Sequence, residues 1–461
     1  MAQQKKKWRA PVQKNDQLEG EVVDLTHEGL GVVKVDQYPL FVEGALTGET
    51  IQYKVIKTGK KFGFGRLEKV IEASPNRVDI VDKVYAQTGT MSLQHLTYDA
   101  QLAFKKEQVE KVLTKIAKLP DVKVNDVIGM DNPYGYRNKA QVPVRKIDGR
   151  LTTGFFRKNS HDLIPLEDFV IQDPKIDEAI VKVRDIMRRY HVKPYDEIDH
   201  KGWLRHIIVR RGYYTQQLML VLVTTTSDFH RQDEIIEAIK KELPELVSII
   251  QNINSEKTNV ILGDESTVLF GTDAYQDQLL GFTFTISHQS FYQVNPLQTE
   301  KLYQTAVEYA GLTGEETVID AYSGIGTMTL ALAKEAKHVY GMEIVEPAVK
   351  NAKENAELNG VTNVSFETGP AEDIIVAWAK EGRHVDTIVV DPPRKGLASE
   401  FIEAVLTMKP QKMIYVSCNP STLARDLKLL NEGGYDVKRV QPIDMFPQTT
   451  HVETVCLLTR K

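Results

Sequence analysis

TVIDAYSGIGTMTLALAKE, residues 317–335, reads as a strand, a glycine turn and the start of a helix. Asp320 closes the strand, Gly324 and Gly326 occupy the turn, and the helix begins near Thr327. Further apolar strands alternate with amphipathic helices over 317–461: HVYGME, VSFETG, TIVVDPP, KMIYVSC and ETVCLLTR. That alternation predicts a doubly wound parallel sheet, with ligands bound at the carboxyl edge of its strands. Glu343 ends the second strand, 17 residues after Gly326. A carboxylate there can accept hydrogen bonds from both hydroxyls of a ribose. The plainer reading is an exposed cap on the helix that Pro347 opens. The dinucleotide spacing G-x-G-x-x-G is not met, because Thr329 holds the third position. This turns the expectation from a pyrophosphate ligand to S-adenosylmethionine, which has no phosphate to cradle.

Two later strand ends carry reactive groups. In VVDPPRKGL (389–397) a strand runs into Asp391, Pro392, Pro393 and Arg394. The prolines stiffen the loop and withhold backbone donors, so Asp391 is expected at the carboxyl edge with Arg394 beside it. In IYVSCNPSTLARD (414–426) Cys418 ends a strand before a helix whose N-cap is expected at Ser421. Positive potential at a helix N-terminus lowers a thiol pKa, so Cys418 suits covalent catalysis. A generic cysteine is more often core packing, and Cys456, inside VCLLT, fits that description. HVETVCLLT (451–459) opens its strand at Glu453. A carboxylate facing the same crevice would act as a base; the alternative is a solvent-exposed strand end.

Residues 1–14 look like a basic, disordered arm. From Gln17 onward short β-type runs, LEGEVVDL to FGRLEKVIE, are separated by glycines and Pro39, which predicts a small OB-like barrel over 15–73. Residues 51–70 hold six basic residues, Lys54, Lys57, Lys60, Lys61, Arg66 and Lys69, against Glu68 alone. Phe62 and Phe64 are interleaved among them, either to stack on bases or to fill the barrel core. Residues 74–285 mix strands and helices and read as a central α+β domain. They include a helical stretch, Tyr98–Leu119, that ends before Pro120 and is a candidate to pack on the last domain, 286–461.

The 461 residues and their composition are those of a globular protein. No run approaches the ~20 apolar residues that span a bilayer, and no apolar core follows MAQQKKKWRA, so neither a membrane protein nor a secretory leader is expected. Two cysteines exclude a disulfide framework and fit a reducing cytoplasm. The net charge of −5 is carried by residues 312–461, with 16 Lys and Arg against 21 Asp and Glu. The balanced remainder has a second basic cluster at 184–211, eight cations against four acids, able to meet phosphates or simply to be solvated.

DAYSGIG, DPPRKG, SCNP and HVE, in this order, resemble the RNA uracil-C5-methyltransferase family (TrmA and RlmD-like enzymes). SHQSFYQVNPLQTEKLY (287–303) resembles the family's segment before the methyltransferase domain, and the EGxVxDLxHEGxGV pattern resembles its RNA-binding TRAM domain. The resemblance spans nearly the whole chain. It implies Cys418 as nucleophile and Glu453 as the base that removes the C5 proton. It implies Gln293, Tyr322, Gly324, Gly326, Glu343 and Asp391 around S-adenosylmethionine, and Phe291 and Gln289 near the target base. Lys57, Lys60, Lys61 and Arg66 would meet RNA on the barrel. Asp391 or Arg394 would polarise or orient the base, and that choice stays open. Thr327 and Pro370 depart from the family's cofactor contacts.

Many RlmD-like members also hold a four-cysteine iron–sulfur cluster. Here Asp82, Thr88, Met91 and Phe169 stand at those positions, and a cluster needs thiolates, so no cluster and no metal are expected. The implied substrate is an unpaired uridine of RNA, since a base must leave its stack to be reached. The likeness is greatest to Gram-positive RlmCD-type enzymes, hence 23S ribosomal RNA, with transfer RNA as the alternative. The expected state is a cytoplasmic monomer. An amino-methyltransferase would carry an aromatic after D-P-P, and DPPR has none. A non-catalytic RNA-binding or ribosome-assembly protein would not need G-x-G, DPPR, SCNP and HVE together.

Overall fold

The structure is a computed structural model that describes residues 10–461. The chain forms two compact units, one running to Gln108 and taking in Gln448–Thr450, the other holding Val109–Pro447 and His451–Lys461.

In the first unit β1 (Gln17–Leu25), β2 (Gly31–Val35), β3 (Tyr38–Glu43), β4 (Thr50–Thr58) and β5 (Gly63–Glu72) close a barrel in the order β1-β2-β3-β5-β4. Alternating Leu40 and Val42, and Ile51, Tyr53 and Val55, fill it with no exposed surface. The arm expected to be disordered over 1–14 is corrected where it is described. Val12 is 4% exposed in the barrel core, and the Asn15 N–H donates to the Val55 carbonyl at 2.8 Å. Residues 1–9 lie outside the described residues. Beyond the barrel come α1 (Lys83–Thr88) and α2 (Tyr98–Val112). The helical stretch expected to reach Leu119 changes to a π-turn at Leu113–Ala117 and stops at Lys118, whose φ of 61° is left-handed.

In the second unit a seven-stranded sheet is built from β6 (Lys139–Ile147), β7 (Arg150–Phe156), β8 (Leu163–Pro165), β9 (Leu204–Arg211), β10 (Leu218–Thr224), β11 (Leu246–Ile253) and β12 (Glu265–Gly271). Its order is β12-β11-β10-β9-β6-β7-β8. The helices α3 (Pro174–Arg189) and α4 (Gln232–Glu242) cover one face through Ala140, Val142, Val144, Ile176, Val183 and Ile235. The hairpin β13 (Ala274–Leu279) and β14 (Phe282–Ser287) follows, then α5 (Pro296–Ala310). The opposite face of the sheet shares one core with them and with the final layer, from Ile208 and Val221 through Phe284 and Leu302 to Val318 and Val389.

The final layer is the doubly wound sheet. Its strands are β15 (Thr317–Ala321), β16 (His338–Glu343), β17 (Val364–Thr368), β18 (Thr387–Val390), β19 (Lys412–Ser417), β20 (Tyr435–Ile443) and β21 (Glu453–Arg460). They run in the order β17-β16-β15-β18-β19-β21-β20. The intervening helices are α6 (Thr327–Ala333), α7 (Glu346–Leu358), α8 (Ala371–Lys380), α9 (Ser399–Met408) and α10 (Pro420–Glu432). The chain order reverses at β15, between β16 and β18, which opens the ligand crevice of such folds there. The last two strands are antiparallel to their neighbours. Strand β20 escapes an apolar-run reading because Lys438 and Arg439 interrupt YDVKRVQPI. Val109, Leu113 and Ala117 pack into the core on the other face of this sheet. No helix among the described residues is long and apolar enough to cross a membrane.

A Cβ at Gly341 would lie 2.6 Å from the Phe366 ring and 2.9 Å from Ser323 Oγ, beside the glycine turn. Gly341→Ala is therefore expected to cost about 1–3 kcal/mol by overpacking, read as a lower denaturation midpoint; an unchanged midpoint would contradict the tight fit.

Candidate active site

The site assembles at the carboxyl edge of β15, β16, β18 and β19. After β15 the chain enters Tyr322 with φ 70°, Gly324 with φ 55° and Gly326 with φ 86°, a left-handed run suited to glycine. A Cβ on Gly324 would meet nothing within 4 Å, whereas one on Gly326 would press on Phe366 at 3.2 Å and Leu330 at 3.3 Å. Gly326 thus packs the helix start, and Gly324 leaves its backbone open to a ligand. Glu343 Oε2 accepts from the Gly324 N–H at 3.0 Å, and Oε1 from the Val345 N–H at 2.8 Å. One carboxylate oxygen of Glu343 thus secures the glycine turn and the other holds the backbone at Val345, which is itself the cap of α7. Tyr322 is half-buried against Phe401, ring centroids 6.1 Å apart.

Two loops are stitched together beside it. Asn419 Nδ2 and Thr422 Oγ1 donate to the Arg394 carbonyl at 3.1 and 3.2 Å, which ties the DPPR loop to the start of α10. The Asp426 carboxylate, fully buried, accepts from the Leu397 N–H at 2.9 Å and from Tyr415 Oη at 2.7 Å, holding the loop's far end. The cap of α10 is Asn419, whose Oδ1 accepts from the Ser421 N–H at 3.0 Å. This corrects the expected cap at Ser421: the longer Asx side chain one residue before Pro420 reaches the free N–H first.

Antiparallel pairing brings Glu453 to the same edge, because Thr454 lies opposite Ser417 and Glu453 opposite Ile443. Glu453 is 5% exposed. Its carboxyl is held well above the ordinary range by burial and by the Asp391 carboxylate, with the Arg394 guanidinium opposing. Asp391 is raised likewise by burial. Cys418 keeps part of its surface, while Cys456 is buried. The depressed thiol pKa expected for Cys418 is corrected: burial and the Glu453 and Asp391 carboxylates push it up to about 11, against the weaker opposing pull of Arg394. Asp320, which sequence reasoning placed only as a strand end, is a buried member of the same acidic wall. Burial raises it to about 7, the Thr329 hydroxyl at 2.6 Å draws it down, and Asp391 and Glu343 push it up.

The 287–295 segment carries the residues expected near the target base. Phe291 is 71% exposed and Gln289 is exposed. The Gln293 carbonyl accepts from Asn138 Nδ2 at 3.1 Å, and the Val294 carbonyl from the Asn138 N–H at 2.9 Å. Asn138 and Tyr303, whose hydroxyl lies 3.1 Å from Thr327 Oγ1, went unnoticed because each matters through a partner more than 20 residues away. Pro370 caps α8 and offers no side-chain donor.

Lys57, Lys60 and Lys61 are exposed in the other unit, on the barrel, and Arg66 pairs with Glu68 at 3.2 Å. Phe62 is 44% exposed and clusters with Phe41 and Phe64, centroids 5.3 and 5.7 Å away, so the reading of both rings as barrel core is set aside. At the four positions weighed above as cluster ligands, Asp82 caps α1 and the Thr88 hydroxyl donates to the Tyr85 carbonyl at 2.8 Å. Met91 is buried, and Phe169 stacks on Phe155 with centroids 4.7 Å apart. None of the four offers a thiolate. Among the described residues no group of three or more His, Cys, Asp or Glu is placed to hold a metal ion.

An open glycine backbone at Gly324, the Glu343 carboxylate beside it and the buried carboxyls of Asp320, Asp391 and Glu453 with raised pKa lie together at this edge. S-Adenosylmethionine, with its cationic sulfur, fits that donor set, and the fold and site define an S-adenosylmethionine-dependent methyltransferase. The family model described as tRNA (uracil-5-)-methyltransferase matches residues 97–461, and the chain belongs to that family. It is 55% identical to an uncharacterized RNA methyltransferase of Enterococcus faecalis, over 98% of each chain. It is 53% identical to another from Listeria innocua, over 98% of this chain and 99% of that one. The Pyrococcus abyssi tRNA (uracil-54, C5)-methyltransferase, solved with S-adenosyl-L-homocysteine, superposes with a TM-score of 0.78 at 27% identity, covering 96% of this chain and 100% of that one.

Two measurements follow from the charges. Asp320 is raised in the folded state, so above its unfolded value it binds more protons folded than unfolded, and its contribution to stability declines from about pH 4 until the folded pKa is passed. Asp320→Asn is therefore expected to gain melting temperature relative to the natural protein as pH rises from about 5 to about 8; a difference constant with pH would contradict the buried charge. Alkylation of Cys418, followed by peptide mapping, is expected to be slow at neutral pH and to rise only towards pH 11. Fast modification near pH 7 would show that the carboxylates do not hold the proton.

Proposed function

We propose that this protein methylates C5 of a uridine in RNA through a covalent bond between Cys418 Sγ and uracil C6. The observation that carries the reading is the convergence of a partly open thiol with two proton-holding carboxylates at one sheet edge. Uracil C5 is a weak nucleophile. The Cys418 thiol gives up its proton to water, and addition of the sulfur to C6 breaks the C5–C6 double bond and moves its electron pair towards C5 and O4. S-Adenosylmethionine, held by Gln293, Tyr322, Gly324, Gly326, Glu343 and Asp391, supplies an electrophilic methyl group. Once C5 carries that methyl group, its bond to the donor's sulfur having broken to leave S-adenosylhomocysteine, Glu453 takes the C5 proton, the double bond re-forms, and the C6–S bond breaks to release Cys418.

The raised pKa of the thiol sets a condition on the first step. Cys418 is protonated in the free protein near neutrality, through burial first and then through the negative charge that Glu453 and Asp391 carry when ionised. Any cation placed against Asp391 weakens that field and eases loss of the thiol proton. Bond formation is thereby favoured when the donor site is filled, and Arg394 acts in the same direction. The Asp391–Glu453 pair shares proton affinity, so one of the two is available as acceptor while the other stays neutral.

The substrate is read as an unpaired uridine of 23S ribosomal RNA in the cytoplasm, with the barrel acting as a TRAM-type RNA-binding module through Phe62, Lys57, Lys60 and Lys61. The protein is read as a monomer. The competing substrate is transfer RNA, on which the Pyrococcus abyssi relative acts. Methyl transfer from labelled S-adenosylmethionine to ribosomal and transfer RNA transcripts separates the two.

Cys418→Ala is expected to retain RNA and cofactor binding and to form neither 5-methyluridine nor a denaturation-resistant adduct with RNA containing 5-fluorouridine. Ordinary product formation by that variant would sink the covalent mechanism.

A further inference from the structure

Strand β6 places Lys139 directly opposite Arg210 of β9. Ala140, Val142 and Val144 of β6 point to the face covered by α3 and α4. Lys139 and its partner Arg210 therefore lie on the other face, towards the 287–295 segment. Like charges directly opposite on a sheet are unfavourable, and the Arg210 guanidinium is met by carbonyls and Tyr275 rather than by a carboxylate. Arg210 is 5% exposed and its Nε has no hydrogen-bond partner. Its Nη1 donates to the carbonyls of Ser287 at 3.3 Å and Ser290 at 2.9 Å. Lys139 is half-buried, its charged neighbours are Arg210 and Arg137, and no carboxylate pairs with it among the described residues. Burial and those two guanidiniums bring its pKa down to about 8. Three cations thus crowd together next to the segment that presents Phe291, and Asn138 between two of them holds the Gln293 carbonyl.

We propose that Lys139 and Arg137, backed by Arg210, form a phosphodiester-binding site for the RNA strand whose base enters the pocket at Cys418. The inference rests on the uridine-methylating reading and adds the group that holds the backbone of the target nucleotide. A flipped base carries its own phosphate groups with it, and an anion is what this cluster lacks. Arg210 positions the 287–290 turn, and Lys139 and Arg137 make the contacts. The donor's own carboxylate is the other anion that could reach the cluster, and the test separates the two.

The full-length protein is compared with Lys139→Gln and Lys139→Arg. RNA affinity is measured against salt, methyl transfer by the KM for RNA, and S-adenosylmethionine affinity by calorimetry. The expected result for Lys139→Gln is a KM for RNA raised about tenfold and a salt slope for RNA binding smaller by about one. Cofactor affinity should match the natural protein, Lys139→Arg should restore RNA binding, and the melting temperature of Lys139→Gln should equal or exceed that of the natural protein because a repulsive neighbour is gone. An unchanged salt slope, weakened cofactor binding with intact RNA binding, or a lower melting temperature would overturn the proposal. If the natural protein makes no 5-methyluridine in any RNA, the functional reading falls by itself, while the salt slopes still decide whether Lys139 meets phosphate.

Discussion

Antiparallel pairing of β21 with β19 is the constraint on which the catalytic edge depends. Strands β15, β16, β18 and β19 all deliver their carboxyl ends to one edge of the sheet. A further parallel strand would also bring its last residue there and send its first residue to the far side. Because β21 runs the other way, its opening residue, Glu453, arrives beside the end of β19 and hence beside Cys418. The sequence distance between acid and thiol is closed by a strand reversal. Displacing the register by one residue would turn the carboxylate to the opposite face.

That placement explains why the thiol differs from the one a helix terminus alone would make. The N-terminus of α10 stands next to Cys418, and its field favours the thiolate. Burial of the thiol, with the Glu453 and Asp391 carboxylates added to it, outweighs that field. The arrangement suits a nucleophile that should stay inert until its partners are in place, since a permanently ionised cysteine in an exposed cleft is open to oxidation and alkylation. The same carboxylates make the free site electrostatically unfavourable, as the raised values of Asp320, Asp391 and Glu453 record.

Much of this was legible in the sequence because it is local. The glycine turn, the DPPR loop and the strand-ending cysteine each declare themselves within a few residues. What was not legible depends on partners far away in the chain. The Cys418 pKa needs Glu453 and Asp391 beside it, and the role of Asn138 needs the Gln293 carbonyl. Strand β20 hides its period behind Lys438 and Arg439. Val12 is one apolar residue in a polar arm, and only a barrel with room for it makes it core. The turn of α2 into a π-turn is likewise set by packing of Leu113 and Ala117 on the final sheet, not by the propensity of those residues.

The two sides of the site carry opposite charge for the same physical reason. On the proposed reading the donor side gathers Asp320, Glu343 and Asp391, where a cationic nucleoside would relieve their mutual repulsion. The acceptor side would gather Arg137, Lys139 and Arg210, where an anionic strand would relieve theirs. Each half alone is a cost to the folded chain, of the kind that proteins tolerate at functional sites. On that reading, binding a cation on one wall and a polyanion on the other would remove both costs and orient the two reactants without a direct attraction between them. Ile208 of β9, Val318 of β15 and Val389 of β18 belong to one apolar core, which joins the layer that carries the basic cluster to the layer that carries the carboxylates.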